Sequence, residues 1–180
     1  MRIIGGKYRS RVLAEFAGDD VRPTSDRARE ALFNILALKI AGARVLDLFA
    51  GSGALGIESL SRGAREVVFN DAAKESVAIV KKNLATLKAD SNEGATVLHY
   101  DFSVCLEMQR QPFDVIFIDP PYRQEYGKKA LEKIASLDLL SEGGVAVYER
   151  DRPFEGEIEG LEKYDERKYG KAYLTFFKKA

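Results

Sequence analysis

The chain of 180 residues contains one cysteine, Cys105. A lone cysteine excludes an internal disulfide and fits a reducing cytoplasm. The sequence also has a single histidine, His99. No His/Cys ligand cluster exists, so no metal is expected. No uninterrupted apolar run approaches the ~20 residues of a membrane span, so no membrane partner is expected. The start, Met1-Arg2-Ile3-Ile4-Gly5-Gly6, lacks the apolar stretch of a secretory signal. Net charge is also missing, since 28 Lys+Arg balance 28 Asp+Glu. The sum does not announce a nucleic-acid binder, but the distribution matters more.

The charge is unevenly placed. Residues 1–11 hold Arg2, Lys7, Arg9 and Arg11 with no acid. Continuing to residue 29 adds Arg22, Arg27 and Arg29 against Glu15, Asp19, Asp20 and Asp26. A solvated arm and an arm that holds a polyanion fit this pattern equally. Hydrophobic content of 46% and charged content of 31% are those of an ordinary globular protein. The length suits one domain with a real core.

Short β-like runs at 2–4 and 11–14 flank Gly5-Gly6-Lys7-Tyr8-Arg9-Ser10 and predict an N-terminal hairpin. Residues 15–23 read as a linker. A helix is expected from Thr24 or Ser25, with apolar Ala28, Ala31, Leu32, Ile35 and Leu36 on one stripe, ending near Ala41-Gly42. Strands and helices then alternate. Strands are expected at 44–49, 66–69, 96–100, 113–118 and 144–148, and helices at 54–62, 74–87, 103–108 and 128–137. Such alternation means a parallel sheet with helices on both faces. Residues 157–162 and 171–178 predict a closing antiparallel pair.

The first strand runs into Asp47-Leu48-Phe49-Ala50-Gly51-Ser52-Gly53-Ala54-Leu55-Gly56. The glycines permit a tight turn and close approach of a ligand to a helix N-terminus. The spacing also matches a dinucleotide fingerprint, and a turn that merely needs glycine would look the same. Asp47 at the strand end suits a cationic ammonium better than a pyrophosphate. Asp71 follows Gly53 by 71 − 53 = 18 residues, near the ~20 expected for an acid that binds ribose hydroxyls. Asp101 could accept from an adenine amino group, with Phe102 against the ring. Three acids at consecutive strand ends all face the edge where open α/β sheets bind ligands.

The most informative stretch is Asp119-Pro120-Pro121-Tyr122, directly after the apolar run 113–118. Proline cannot continue a central strand, so the chain leaves the sheet here. Asp119 and the Pro120 carbonyl could accept the two hydrogens of an exocyclic NH2, and Tyr122 could cover the ring. That is the chemistry of amino-group methylation. Cys105, by contrast, reads as a small buried thiol, and His99 as a solvent- or helix-facing residue.

With these motifs in view, the chain resembles class I S-adenosylmethionine-dependent methyltransferases. More narrowly it is similar to the bacterial RsmD family, which methylates the exocyclic N2 of a guanine in small-subunit ribosomal RNA. The resemblance rests on Arg2-Ile3-Ile4-Gly5-Gly6-Lys7-Tyr8-Arg9, on the stretch from Arg22-Pro23-Thr24 through Leu36, on Leu46 to Gly53, on Phe113 to Tyr122, and on Tyr169-Gly170 before the last strand. It implies a Rossmann-like α/β fold with a mostly parallel seven-stranded sheet, helices on both faces, an antiparallel last strand and an N-terminal β-hairpin. It implies a single domain over 1–180, with hairpin and linker in 1–23 and a catalytic core in 24–180.

By the same resemblance S-adenosyl-L-methionine is the cofactor, held by Asp47, Phe49, Ala50, Gly51, Gly53, Asp71, Asp101 and Phe102. Asp119, Pro120, Pro121 and Tyr122 form the catalytic turn. Arg2, Lys7, Arg9, Arg11, Arg22, Thr24 and Arg27 contact RNA. The implied partner is small-subunit ribosomal RNA within an assembled or assembling 30S subunit, and the implied state is a cytoplasmic monomer without metal. The chain departs from the family at Asn70-Asp71, where a Glu is usual, and at Ala72-Ala73-Lys74, where an acid and a base are usual. Alternatives are an amino-group methyltransferase for another RNA, DNA or protein, a nicotinamide-dependent oxidoreductase, and a non-catalytic RNA-binding module.

Overall fold

The computed structural model describes residues 1–16, 26–89, 93–121 and 126–180. Its elements are α1 (Asp26–Ile35), α2 (Ala37–Ile40), β1 (Arg44–Asp47), α3 (Ala54–Ser61), β2 (Glu66–Asn70), α4 (Lys74–Leu87), β3 (Ala95–Leu98), α5 (Phe102–Met108), β4 (Phe113–Ile118), α6 (Tyr126–Ser136), β5 (Leu140–Arg150), β6 (Leu161–Tyr169) and β7 (Ala172–Lys179). The seven strands lie in the order β3-β2-β1-β4-β5-β7-β6. β1 through β5 pair in parallel, and β7 runs antiparallel to both β5 and β6. The expected reversed last strand is therefore present.

Alternation along each strand divides the core. Val45, Val67, Phe69, Val115, Phe117, Val145 and Val147 face α1 to α4. Leu46, Val68, Ile116, Ile118, Ala146 and Tyr148 face α5 and α6. Both faces of the sheet are covered, which is why all four residues of β1 and five of the six of β4 are buried.

Several boundaries differ from the sequence pattern. The first helix does not run unbroken to residue 41: it stops at Ile35, and Leu36 joins a separate turn of helix through an amide that Lys39 donates to its carbonyl at 2.8 Å. The expected caps Thr24 and Ser25 lie outside the described residues. β5 begins four residues earlier than its apolar stretch, and β6 covers 161–169 rather than 157–162. β6 is an edge strand and mostly charged, and edge strands carry charge to prevent further pairing. The expected N-terminal hairpin is present as one antiparallel bridge, Arg2 with Val12, with cross-strand amides donated by Ile3 to the Arg11 carbonyl, Ser10 to Ile3 and Leu13 to Met1. It is also docked on α3. Glu58 accepts from the amides of Ile4 at 2.9 Å and Gly5 at 2.8 Å, and Lys7 donates its amide to the Ser61 carbonyl at 2.7 Å. Gly6 has φ +75, and a Cβ there would sit 1.8 Å from the Ser61 oxygen, so only glycine allows this approach.

Candidate active site

The order in which the chain adds strands reverses between the parallel neighbours β1 and β4, and ligands in open α/β sheets bind at the carboxyl ends beside that switch. Asp47 ends β1 and Asp119 follows β4 there. Asp47 pairs in register with Phe117, two residues before Asp119. Strand spacing and rise place the two α-carbons about 8 Å apart.

Asp47 is 2% exposed, and its carboxylate accepts from the Gly56 amide at 2.9 Å. Burial drives its pKa up to about 7, against the Gly56 hydrogen bond and with help from the Asp71 charge. A cation beside it would relieve that cost. The glycine loop takes its shape from left-handed Gly51 (φ 54) and Gly53 (φ 81). A Cβ at Gly51 would meet nothing within 4 Å, whereas at Gly56 it would collide with the Phe69 ring. Gly51 thus keeps the loop open toward a ligand, and Gly56 serves helix–strand packing.

Asp71, the residue after β2, accepts from the Gly51 amide at 2.9 Å and the Ala73 amide at 2.8 Å. It braces the loop directly, which the linear spacing did not reveal. Asp101 does not end a strand, because β3 stops at Leu98. It caps α5 by accepting from Ser103 N at 2.9 Å, and it remains exposed at the same rim. Phe49 and Phe102 have ring centroids 5.5 Å apart, and Tyr126 lies 5.3 Å from Phe102 and stacks on Phe49 at 6.5 Å. Ala50 is buried and donates its amide to the Asn70 carbonyl at 2.9 Å.

Asp119 is partly exposed. Its pKa stands well above the ordinary carboxylate value because of burial, then the charges of Glu149 and Asp47. Pro120 is buried and Pro121 exposed. Tyr122, Arg22 and Thr24 lie outside the described residues. Arg2, Lys7, Arg9, Arg11 and Arg27 are all exposed, and Lys7 forms an ion pair with Glu93. Arg2, Lys7, Arg9 and Arg11 lie on the segment docked against α3 and Arg27 lies on α1, none of them within the carboxylate cluster.

Three residues escaped sequence reasoning. Asn70, the last residue of β2, donates to the carbonyls of Leu48 at 3.2 Å and Tyr100 at 3.1 Å and accepts from Tyr100 N at 3.2 Å. It ties together the chain leaving β1, β2 and β3. Asn83 on α4 accepts from Ala14 N at 2.7 Å and donates to Ala14 O at 3.1 Å and Ser52 O at 2.9 Å. It joins the N-terminal segment to the glycine loop. Glu149 on β5 is 4% exposed and follows Tyr148, the register partner of Ile118. Strand alternation puts it beside Asp119 on one face. A charged residue closing the apolar run of β5 was the available signal. Cys105 is fully buried and its thiol is pushed up to about 12, and His99 is exposed, as expected.

This strand order with a reversed β7, a glycine loop after β1 and an acid with two prolines after β4 define the class I methyltransferase fold. Ribosomal RNA small subunit methyltransferase D of Haemophilus influenzae is 37% identical over 156 residues, covering 85% of this chain and 81% of that one. Its namesake from Escherichia coli K12 is 40% identical over 159 residues, covering 88% and 76%. A solved Escherichia coli structure, described as that of a methyltransferase, superposes with TM-score 0.88 at 32% identity, covering 99% of this chain and 97% of that one. Residues 1–178 match the family model described as conserved hypothetical protein 95, and the chain belongs to that family, the one that holds these methyltransferases.

Proposed function

We propose that this protein transfers the methyl group of S-adenosylmethionine to the exocyclic N2 of a guanine in small-subunit ribosomal RNA, acting on the assembling or assembled subunit. The observation that carries the reading is the pair of carboxylates at the switch point: buried Asp47 on the cofactor side and Asp119 about 8 Å away on the acceptor side. The residues suit that donor. Asp47 would pair the ammonium of its methionine portion, Asp71 would face its ribose, and Asp101 with Phe49 and Phe102 would hold the adenine. Gly51 and Gly53 leave room for the backbone to approach it.

When bound, the sulfonium supplies an already activated methyl group, so the protein's task is positioning and charge stabilisation. Asp119 and the Pro120 carbonyl accept hydrogen bonds from the guanine amine, which turns its lone pair out of the ring. The Asp119 carboxylate would stabilise the positive charge that grows on the nitrogen as it takes the methyl group from sulfur. In its ionised form Asp119 would then accept the proton that nitrogen sheds. Tyr122 would stack on the base, which leaves its own stack to enter the site. The exposed basic residues of segment 1–11, with Arg22, Thr24 and Arg27, would hold flanking RNA.

The test is methyl transfer from labelled S-adenosylmethionine to unmethylated small subunits, with nucleoside analysis. N2-methylguanosine at one position is expected. Label in another nucleoside, in DNA or in protein would overturn the acceptor, and absence of transfer despite cofactor binding would favour a non-catalytic module. Asp119→Ala should lower the rate by about 10²- to 10³-fold while S-adenosylhomocysteine affinity stays within about threefold.

A further inference from the structure

The reversal of β7 has a spatial consequence for the rim of this site. Arg150, the last residue of β5, pairs with Tyr173, and Tyr169 pairs with Ala172 across the β6–β7 turn. The hairpin tip therefore stands at the carboxyl end of β5, the edge that also carries Asp119. Two strand spacings across the sheet, with the rise of the three residues from Leu174, the register partner of Glu149, to Lys171, put it about 14 Å from Asp119. Gly170 has φ 61 at the first central position of this two-residue turn, as a type II′ hairpin requires.

The tip and its neighbours are basic. Lys168 and Lys171 are exposed, and the Lys168 ammonium lies 5.1 Å from the Tyr173 ring centroid. The Arg150 guanidinium lies over Tyr148 at 5.4 Å and Phe154 at 5.7 Å, and its Nε has no hydrogen-bond partner among the described residues. Arg152 is exposed beside it. Most local acids are committed elsewhere. Asp165 pairs with Arg167 at 2.8 Å, and Glu166 accepts from Phe154 N and the Thr175 hydroxyl, each at 2.8 Å. Asp151 and Glu155 are exposed acids nearby.

The N-terminal segment, by contrast, is anchored through Glu58, Ser61 and Asn83 on α3 and α4, helices that pack over β1, β2 and β3. Asp119 stands between the two basic regions. We propose that the β6–β7 hairpin tip, through Lys168 and Lys171 with Arg150 and Arg152 behind them, is a second RNA-backbone contact that grips the strand on the far side of the target base. This rests on the RNA methyltransferase reading above. Holding the strand on both sides of one base would supply the work of drawing it out of its stack, and flanking contacts select the substrate's local context.

The test is the double charge reversal K168E/K171E in the full chain, assayed for methyl transfer to unmethylated small subunits over a range of salt. Both side chains are exposed, Lys168 near the end of β6 and Lys171 in the two-residue turn, and thermal unfolding checks that the fold is kept. The expected result is a KM for subunits raised at least about tenfold, kcat within about twofold, and a salt slope shallower by about 1 to 2. S-adenosylhomocysteine affinity should not move, and K168Q/K171Q should show a smaller KM increase of the same kind. An unchanged KM would overturn the proposal. So would a raised KM with the wild-type salt slope, which would mark a protein contact in the particle. A wild-type chain that methylates no RNA would instead sink the functional reading and leave these outcomes distinct.

Discussion

At the scale of single residues, Asp47 and Asp119 show how burial raises the pKa of a carboxyl. Asp47 has a pKa raised from 3.8 to about 7. Its folded value lies above its unfolded one, so at this site the unliganded chain loses stability as pH rises from about 4 to about 7. A bound ammonium favours the carboxylate and reverses that cost. Binding of S-adenosylmethionine at pH 6 should therefore release close to one proton, read by calorimetry in buffers of different ionisation heat. Asp47→Asn should abolish the release and weaken affinity, and a wild-type chain that releases none would remove Asp47 from the ammonium's site. Asp119 feels Glu149 as well as burial. Removing a like charge lowers a carboxyl pKa, so Glu149→Gln should shift the acidic limb of the pH–rate profile toward lower pH. A limb that stays in place would mean that the two carboxyls do not communicate. Asp119→Asn keeps an acceptor but cannot take a proton, so it should retain more activity than Asp119→Ala and lose that limb. Asp47, Asp71 and Asp119 were legible because each closes or follows an apolar run. Glu149 also closes an apolar run, but its partnership with Asp119 was not legible, since it comes from the parallel register of β4 and β5.

At the scale of elements, the strands and helices with strong periodicity were legible: α4 and β4 match their sequence pattern residue for residue. The rest depended on partners. The charged edge strand β6 has no apolar pattern to read, and the early part of β5, Ser141-Glu142-Gly143, is polar because it lies at a rim. The N-terminal hairpin was legible as a turn but not as a docked segment, because its hydrogen bonds run to Glu58 and Ser61 far along the chain. Two substitutions separate what that docking does. Gly6→Ala puts a Cβ into the Ser61 carbonyl at a left-handed backbone position and should cost about 1–3 kcal/mol, measured by urea unfolding. Its kinetic effect should fall on KM for subunits, with cofactor affinity nearly unchanged. Asn83→Ala removes hydrogen bonds to both Ala14 and Ser52. It should cost about 1–3 kcal/mol for the backbone groups left unpaired and raise KM for cofactor and subunits together. Equal kinetic profiles in the two variants would show that Asn83 does not join segment and loop.

At the scale of the whole molecule, the sheet divides two apolar clusters, and the central strand β4 contributes to both. Val115 and Phe117 face α1 to α4, and Ile116 and Ile118 face α5 and α6. The Phe117 ring centroid lies 5.8 Å from that of Phe33 on α1. The overall α/β architecture was legible because alternating strands and helices with buried apolar strands admit few topologies, yet the relations across the sheet that build the site follow from strand order and register, which no local pattern encodes. Coupling of the clusters through β4 predicts how the molecule fails. Phe117→Ala should cost about 3–5 kcal/mol and still unfold in one transition, because the strand it weakens is shared. Phe117 also sits in the row of Asp47 and two residues before Asp119, so the cofactor site exists only while that strand is in place. Binding is then linked to the same transition, and S-adenosylhomocysteine at 100 times its Kd should return about 2.7 kcal/mol. Calorimetric scans of the variant with and without this ligand test the point. A single peak that moves up with ligand is expected, whereas two peaks of which only one responds would mean that the two sides of the sheet fold as separate units.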